Sequence, residues 1–323
     1  MDILDIEKIF QKHALPGFGA RAWTDVFKEL VGGAQTDAHG NVKLRFPGGG
    51  AKILFIASLE AEGFTATRVE KSGALWFTGN APLERVNPEG AAIRFETGAA
   101  GVAFSDDCLG DKSQSEYFID LGTAAEWETR RLVSEADRAV IDFSPQAGLG
   151  DSIISCQPVL VGAVAMLRAI ESIKQAGRSG THDVTFLFLA ESSAENRDVT
   201  PYEGLKPDTA VAVGAFFISD GLNGIKSDCS VAAPALGKGP VISAKGRMFN
   251  APSVYQALAA TAERCGVPAR FSAECGSLAE AEFLMELAEG VPAAAIGVPV
   301  RSGRVYKRAD VEASAKLIAN FIF

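Results

Sequence analysis

A change in the pattern of apolar and turn-forming residues between positions 63 and 143 constrains the fold of this 323-residue chain more than any other feature. Within that stretch, short runs with the character of β-strands recur, separated by Gly, Pro, Asn and Asp. Before and after it, helical patterns alternate with apolar strands, as in a layered α/β sheet. We therefore predict an α/β sheet domain formed by residues 1–65 and 146–323, with a small β-barrel-like domain inserted at residues 66–145.

The apolar spacing also predicts the individual elements. Helices are expected over 3–14, 20–31, 124–132, 156–176, 253–265, 278–289 and 309–321. Strands of the α/β part are expected over 42–46, 53–57, 184–190, 210–213, 241–244 and 293–296. Strands of the insert are expected over 64–69, 74–77, 91–95, 101–104, 117–121 and 139–143.

The glycine-rich segment Pro47–Gly50 joins the first two of these strands. A glycine triplet can form a phosphate-binding loop, but here no Lys-Ser/Thr pair follows it and a strand comes next instead of a helix. The segment is therefore predicted to be the turn of a β-hairpin.

Composition excludes several function classes. The 40 acidic residues outnumber the 31 basic ones and give a net charge of −9, so the surface repels phosphate backbones and a nucleic-acid partner is not expected. Apolar runs fall far short of the ~20 residues that a membrane span needs. The acidic N-terminus is unlike a secretion signal, so we expect a cytoplasmic protein with no membrane partner. The five cysteines form no CxxC pair, which argues against a disulfide framework or a structural zinc site.

Candidate functional residues follow the predicted strands, because functional groups of open α/β sheets gather at the carboxyl ends of strands. The segments there are Ser58–Gly63, Glu191–Glu195, Gly214 and Gly297–Arg301. A further segment, Gly148–Ser152, precedes the long predicted helix. Its Asp151 or Ser152 is most simply the N-cap of that helix.

These segments carry carboxylates but no histidine. The carboxylates are Glu60, Glu62, Asp151, Glu191 and Glu195, and the chain has only three histidines, His13, His39 and His182. Capping, salt bridges and solvated loops would account for such carboxylates, and their oxygen donors leave a magnesium or calcium site open. A Ser-His-Asp triad is not supported, because the chain has no GxSxG elbow.

The order of these pieces resembles peptidase family 42, the glutamyl and tetrahedral aminopeptidases. Six segments carry the resemblance in the family's order: Leu15–Gly19, Asp37–Val42, Ile53–Phe64, Phe118–Gly122, Lys238–Pro240 and Gly290–Pro299. The resemblance implies a zinc-aminopeptidase-like α/β sheet domain with an inserted β domain that pairs subunits.

The chain departs from this family at the metal site. The family's enzymes hold two zinc or cobalt ions with two histidines and three carboxylates. By resemblance, the corresponding positions are Ser58, Glu60, Gly150 with Asp151 beside it, Glu191 with Ser192, Gly214 and Arg304. The resemblance therefore implies a vestigial site with no metal cofactor, in which Glu191 is the remaining candidate catalytic residue.

Three functional hypotheses follow. The first is a catalytically inactive homologue, retained to bind a peptide or small molecule or to assemble with itself as a homodimer or larger oligomer, up to a dodecamer. The second is an active hydrolase with a rearranged site built on Glu60, Asp151 and Glu191. The third is an unrelated α/β enzyme.

Two further expectations concern particular side chains. Trp76, Phe77 and Trp127 are predicted to be exposed apolar residues of the insert, available for subunit pairing. Arg304 is predicted to reach the vestigial site, where its guanidinium would replace the metal charge beside the remaining carboxylates. A solvated Arg304 in a basic turn with Arg301, Lys307 and Arg308 is the alternative.

Overall fold

The structure, a computed structural model, describes residues 1–16, 23–80, 86, 88–105, 117–177, 181–191, 202, 204–218, 234–245, 250–272 and 290–322. Its helices are α1 Ile3–His13, α2 Thr24–Val31, α3 Glu126–Thr129, α4 Val161–Ala176, α5 Pro252–Arg264 and α6 Arg308–Phe321. Its strands are β1 Gln35–Thr36, β2 Val42–Phe46, β3 Lys52–Ser58, β4 Phe64–Val69, β5 Leu75–Gly79, β6 Ala92–Phe95, β7 Ala100–Ser105, β8 Tyr117–Asp120, β9 Arg138–Ile141, β10 Gln146–Ala147, β11 Ser152–Ile154, β12 Asp183–Leu189, β13 Thr209–Ile218, β14 Val241–Ser243, β15 Arg270–Ser272, β16 Ala293–Arg301 and β17 Val305–Lys307.

The larger sheet has the strand order β1-β2-β12-β3-β13-β16-β17-β11-β10, with β14 and β15 attached beside β16. Its four central strands, β12, β3, β13 and β16, run parallel. They are apolar on both faces, as parallel strands covered on both sides must be. On one face, Phe55 stacks on Phe186 with 5.3 Å between ring centroids, beneath a core that α1, α2, α4, α5 and α6 complete.

The inserted strands form a closed barrel in the order β4-β5-β8-β7-β6-β9. Alternate side chains, among them Phe64, Leu75, Ile93 and Ile119, point inward and are buried. Closure leaves no unpaired strand edge in the barrel. The predicted fold class, a layered α/β sheet with a small inserted β-barrel, is thus confirmed, whereas the domain boundaries at 65 and 146 stay a prediction.

The predicted hairpin between β2 and β3 is wrong, because β12 lies between these two strands. Strand β12 pairs antiparallel with β2 and parallel with β3. It is apolar and buried, so it needs a hydrogen-bonded neighbour on each edge. The connection at residues 47–51 spans two strand spacings, about 10 Å, which five extended residues cover easily.

The long helix begins later than predicted. Residues 152–154 form β11, which pairs antiparallel with β17, and a 3₁₀ turn at Pro158–Leu160 leads into α4 at Val161. Pro158 has no N–H and a fixed φ, so it fits the start of a helical segment but not its interior. The N-cap role predicted for Asp151 or Ser152 on this helix is therefore wrong.

Other elements differ mainly in length. Strands β13 and β16 continue to residues 218 and 301, well beyond their predicted ends, because each covers the other along nine register pairs. The helix predicted over 278–289, with Cys275 before it, lies outside the described residues, as do Cys108 and Cys229. No helix in the described part of the chain is long and apolar enough to cross a bilayer.

The exposed aromatic residues are only partly as expected. Trp127 is 57% exposed, and Trp76 is half-buried on the outer face of the barrel, where its indole N–H donates to Glu70. Phe77 alternates with Trp76 along β5 and so points into the barrel, where it contacts Phe64 at a centroid distance of 4.7 Å. The prediction that Phe77 is exposed is wrong for that reason.

Candidate functional site at the carboxyl edge of the sheet

The carboxyl ends of β3 and β12 lie side by side. Ser58 is in register with Leu189, and the amide of Leu59 donates to the carbonyl of Leu189 at 2.7 Å. Because the two strands are parallel, Glu60 and Glu191, each two residues beyond this pair, leave the sheet at the same edge. Of the predicted site residues, these two and Ser58 are brought to one place by the fold.

Residues 59–63, which we call the Glu60 loop, are held by side chains on both sides. The hydroxyl of Ser58 accepts a hydrogen bond from the amide of Glu60 at 2.9 Å, so Ser58 shapes the loop. Asn80, at the end of β5, donates to the Glu60 carboxylate at 3.2 Å and to the carbonyl of Ala61 at 2.9 Å. The Glu60 side chain is consequently buried and oriented from the barrel side.

Gln157 holds Glu62 within the Glu60 loop, whereas Asn80 holds the next residue, Gly63, by accepting from its amide at 2.8 Å and donating its backbone N–H to its carbonyl at 3.2 Å. The side-chain oxygen of Gln157 accepts from the amide of Glu62 at 3.0 Å, and its side-chain nitrogen donates to the carbonyl of Glu62 at 3.0 Å. A primary amide that accepts from the backbone N–H of one residue and donates to the backbone carbonyl of the same residue fixes that residue's position and orientation. No sequence pattern indicated this role, because Gln157 lay inside the predicted helix.

The turn at Asp37–Asn41 also reaches this edge. Strand β2 is antiparallel to β12, so its first residues lie beside the last residues of β12. The side-chain oxygen of Asn41 accepts from the amide of Ala190 at 2.9 Å, and Asp37 accepts from the amides of His39 and Asn41. His39 thus lies in a turn at the edge of the candidate site, which the predicted hairpin had obscured.

The other two histidines lie elsewhere. His182 precedes β12 at the amino end of the strand, where a Cβ on Gly50 would lie 2.8 Å from its Nδ1. His13 is the last residue of α1, and its pKa is lowered by partial burial. Neither of these histidines follows a strand at the carboxyl edge.

Gly150 and Asp151 belong to a different part of the sheet. They lie in the turn between β10 and β11 instead of at the start of α4. The Asp151 carboxylate accepts from the amide of Ala309 at 2.7 Å, and its carbonyl accepts from the amide of Arg308 at 2.9 Å. Asp151 therefore caps the N-terminus of α6, where a negative charge is favoured by the helix dipole.

The residues that do precede α4 are Gln157–Leu160, and they contain no carboxylate. This 3₁₀ segment packs against β3 and β13, so the N-terminus of α4 covers the carboxyl edge. Ser155 and Gln157 are both buried there.

Gly214 lies inside β13, not at its end. It pairs with Gly297 and is buried beneath the first turn of α4. A Cβ on Gly162 would lie 2.1 Å from the carbonyl oxygen of Val213 and 2.6 Å from the Cα of Gly214. The helix backbone therefore rests directly on the strand.

Arg304 does not bind the carboxylates of the site. Its guanidinium donates to the carbonyls of Cys156 at 3.3 Å and Val86 at 3.0 Å, and lies 5.3 Å from the ring centroid of Phe143. These contacts join the sheet to residues packed beside the barrel. Among the described residues, no ion pair joins Arg304 to Glu60, Asp151 or Glu191, so the predicted bridge is not formed.

These donors do not fit a pair of zinc or cobalt ions. Gly214 and Gly150 have no side chain to offer, Arg304 is a cation, and the carboxylate of Asp151 already caps a helix. Zinc in proteins prefers nitrogen and sulfur donors, whereas the edge offers mainly oxygen. Within the described ranges, no three His, Cys, Asp or Glu side chains are placed to hold a metal ion. Ser192 lies outside those ranges, and Glu191 is half-buried.

Comparison with solved structures shows the same fold elsewhere. The chain is 24% identical to aminopeptidase APDkam598 from the archaeon Desulfurococcus kamchatkensis, with a TM-score of 0.87 over 99% of this chain and 94% of that one. It is 20% identical to the TET aminopeptidase of a marine-sediment archaeon, Thaumarchaeota archaeon SCGC AB-539-E09, with a TM-score of 0.85 over 99% and 96%. It is also 20% identical to PhTET1-12s, solved as a dodecamer, with a TM-score of 0.83 over 100% and 99%.

No curated protein is similar enough to match this chain. The sequence profile of the M42 glutamyl aminopeptidases matches residues 40–318, which is most of its length. The match includes the inserted barrel as well as the strands and helices around the carboxyl edge. The chain therefore belongs to the M42 glutamyl aminopeptidase family.

Proposed function

We propose that this chain is a family 42 protein that has lost the dinuclear metal site, does not hydrolyse peptides, and acts in the cytoplasm as a binding or assembly protein. The observation that carries the proposal is the use of the family's ligand positions for other purposes. Asp151 caps α6, Gly214 lies under a helix, and Arg304 binds two carbonyls.

The rearranged hydrolase built on Glu60, Asp151 and Glu191 is less well supported by these contacts. Strand β11, which follows Asp151, is separated from β3 by β13, β16 and β17 in the sheet. At about 4.8 Å per strand, that order places β11 roughly 19 Å from β3. Of these three carboxylates, Glu60 and Glu191 are neighbours at the edge and Asp151 is not. The two neighbours favour a ligand that presents an amine, such as a peptide N-terminus or a small cationic molecule.

The first test is catalytic. We expect the purified protein to release no arylamine from aminoacyl-arylamides, with or without added zinc or cobalt, because the residues at the edge cannot hold a metal pair that activates water. A chromogenic assay over a panel of amino acids measures this. Turnover that requires added metal, and that disappears in Glu191→Gln, would show that the second hypothesis is right.

Self-association is the second part of the proposal. One similar solved structure is a dodecamer, and another, the TET1 peptidase of Pyrococcus horikoshii, is described as assembling into a tetrahedron or a large octahedral shell. In this chain, the described residues of the insert include three large apolar side chains that are at least 45% exposed, Trp127, Val102 and Leu132. Exposed apolar side chains of this size favour contact with a second protein surface.

Light scattering tests the assembly directly. We expect the 33.9 kDa chain to be at least a dimer at micromolar concentration. We also expect Trp127→Lys to shift the population toward monomer, because a charge in an apolar interface is costly to bury. Leu149→Lys is a matched control, since Leu149 is 95% exposed on the β10–β11 turn, outside the insert. A wild-type protein that is monomeric under these conditions would refute this part.

A further inference from the structure

Glu7 is a buried carboxyl group that the candidate site does not explain. It lies on α1 and is only 1% exposed. The hydroxyl of Tyr306 donates to its Oε1 at 2.7 Å, and the hydroxyl of Ser155 donates to its Oε2 at 2.5 Å. Both partners are neutral and buried, and no cation among the described residues forms an ion pair with Glu7.

A continuous set of hydrogen bonds leads from this carboxyl group to the Glu60 loop. The hydroxyl of Ser155 accepts from the amide of Gln157 at 3.1 Å. Gln157 in turn binds both the amide and the carbonyl of Glu62. We call Glu7, Tyr306, Ser155 and Gln157 the Glu7 network; each member is at most 3% exposed.

The surroundings of Glu7 disfavour its charged form. Burial raises the pKa of Glu7 to about 7, although its two hydrogen bonds act in the opposite direction. Two titratable groups next to Glu7 are neutral at pH 7, since burial raises the pKa of Tyr306 and of the Cys156 thiol.

Within the described part of the chain, the charged residues near this cluster act on the neighbours of Glu7. Arg308 and Asp2 act on Tyr306, and Arg304 and Asp142 act on Cys156. Helix α4, which packs on α1, places Arg168 and Glu171 at Met1 instead of at Glu7. Near pH 7, Glu7 is therefore the group in this cluster whose protonation changes with pH.

We propose that Glu7 and Gln157 are positioning residues for the Glu60 loop, and that proton uptake by Glu7 from solvent holds this loop closed against the sheet edge. When Glu7 is neutral, its own O–H takes over from Ser155 as the donor in their 2.5 Å hydrogen bond. No buried charge then requires water, so Ser155 and Gln157 stay in place. An ionised Glu7 needs water or a more open arrangement, because two neutral donors cannot replace the hydration of a carboxylate. The peptide groups of Glu62 then lose their partner and open, while Asn80 still holds Ala61 and Gly63 on either side.

Hydrogen exchange of the full-length protein tests this coupling. Peptides that cover residues 58–64 are followed between pH 5 and 8.5, and each rate is divided by the intrinsic exchange rate at that pH. If opening releases one proton, protection of the loop falls about tenfold per pH unit below pH 7 and levels off above it. In Glu7→Gln, whose amide mimics the neutral acid, protection stays constant, whereas the exposed control Glu89→Gln behaves like wild type.

The variant Gln157→Leu tests whether the hydrogen bonds through Gln157 couple Glu7 to the loop. This test can be read even if Glu7→Gln does not fold. Gln157→Leu removes both hydrogen bonds to Glu62, so loop protection is expected to be low and independent of pH even though Glu7 still titrates. Amides of β12 report global unfolding, and the loop is expected to exchange faster than they do. The proposal is overturned if the wild-type loop shows no pH dependence, if Gln157→Leu or Glu7→Gln retains it, or if loop and β12 exchange at one rate. These outcomes do not depend on whether the site binds metal or peptide.

Discussion

Replacing Gly162 by alanine is expected to lower the free energy of unfolding by ~2 kcal/mol, because forcing a methyl group into a packed interior usually costs about 1 to 3 kcal/mol. In an exposed helix the same change stabilises by about 1 kcal/mol, because glycine is a poor helix former. Here the sign reverses, since the new Cβ would lie 2.1 Å from the carbonyl oxygen of Val213. That oxygen is backbone in a central strand and cannot rotate away.

Urea unfolding monitored by circular dichroism measures this change. Ser172→Ala, on an exposed position of the same helix, is the matched control and should stay within about 0.5 kcal/mol of wild type. A Gly162→Ala protein as stable as wild type would mean that α4 does not rest on β13 in the way described. The candidate edge would then have room for a side chain at Gly214.

Replacing Glu7 by glutamine is expected to remove a pH-dependent loss of stability of about 2 to 3 kcal/mol between pH 5 and 8. Burial raises the pKa of Glu7 from 4.5 to about 7, so the folded chain holds this proton more tightly than the unfolded chain. The resulting stabilisation is complete below pH 4.5 and is lost as the pH rises through 7. Other groups also titrate in this window, so the informative quantity is the difference between the two proteins.

Chemical denaturation of both proteins at several pH values gives that difference. The advantage of wild type over Glu7→Gln should shrink steadily from pH 5 to 7 and then stay constant. If the two curves are parallel, Glu7 is ionised in the folded protein at all these pH values. The positioning role inferred for the Glu7 network would then lose its physical basis.

The sequence predicted the elements whose signals are local. The barrel strands follow from period-two alternation between glycine and proline turns, and Phe64–Val69 has the predicted bounds. The placement of Glu60 and Glu191 at one edge follows from the rule for parallel strands. The first inference needs only neighbouring residues. The second needs only the segment that follows each strand and the rule that parallel strands end at one edge.

The misplaced features depend on contacts between distant segments. Nothing near Pro47–Gly50 reveals that β12, more than 130 residues later, lies between β2 and β3. Asp151 has the signature of a helix cap, but the helix that it caps begins at Arg308. The Glu7 network likewise joins residues 7, 155 and 306, and no pattern in the sequence connects them.

The amount of zinc bound by the metal-free protein tests the central claim most directly. Equilibrium dialysis against micromolar zinc at neutral pH, followed by metal analysis, compares wild type with the double variant Glu60→Gln/Glu191→Gln. We predict no stoichiometric zinc in either protein, and the same trace amount in both. Two zinc ions per wild-type chain, absent from the double variant, would contradict the account and show that this edge of the sheet is a working metal centre.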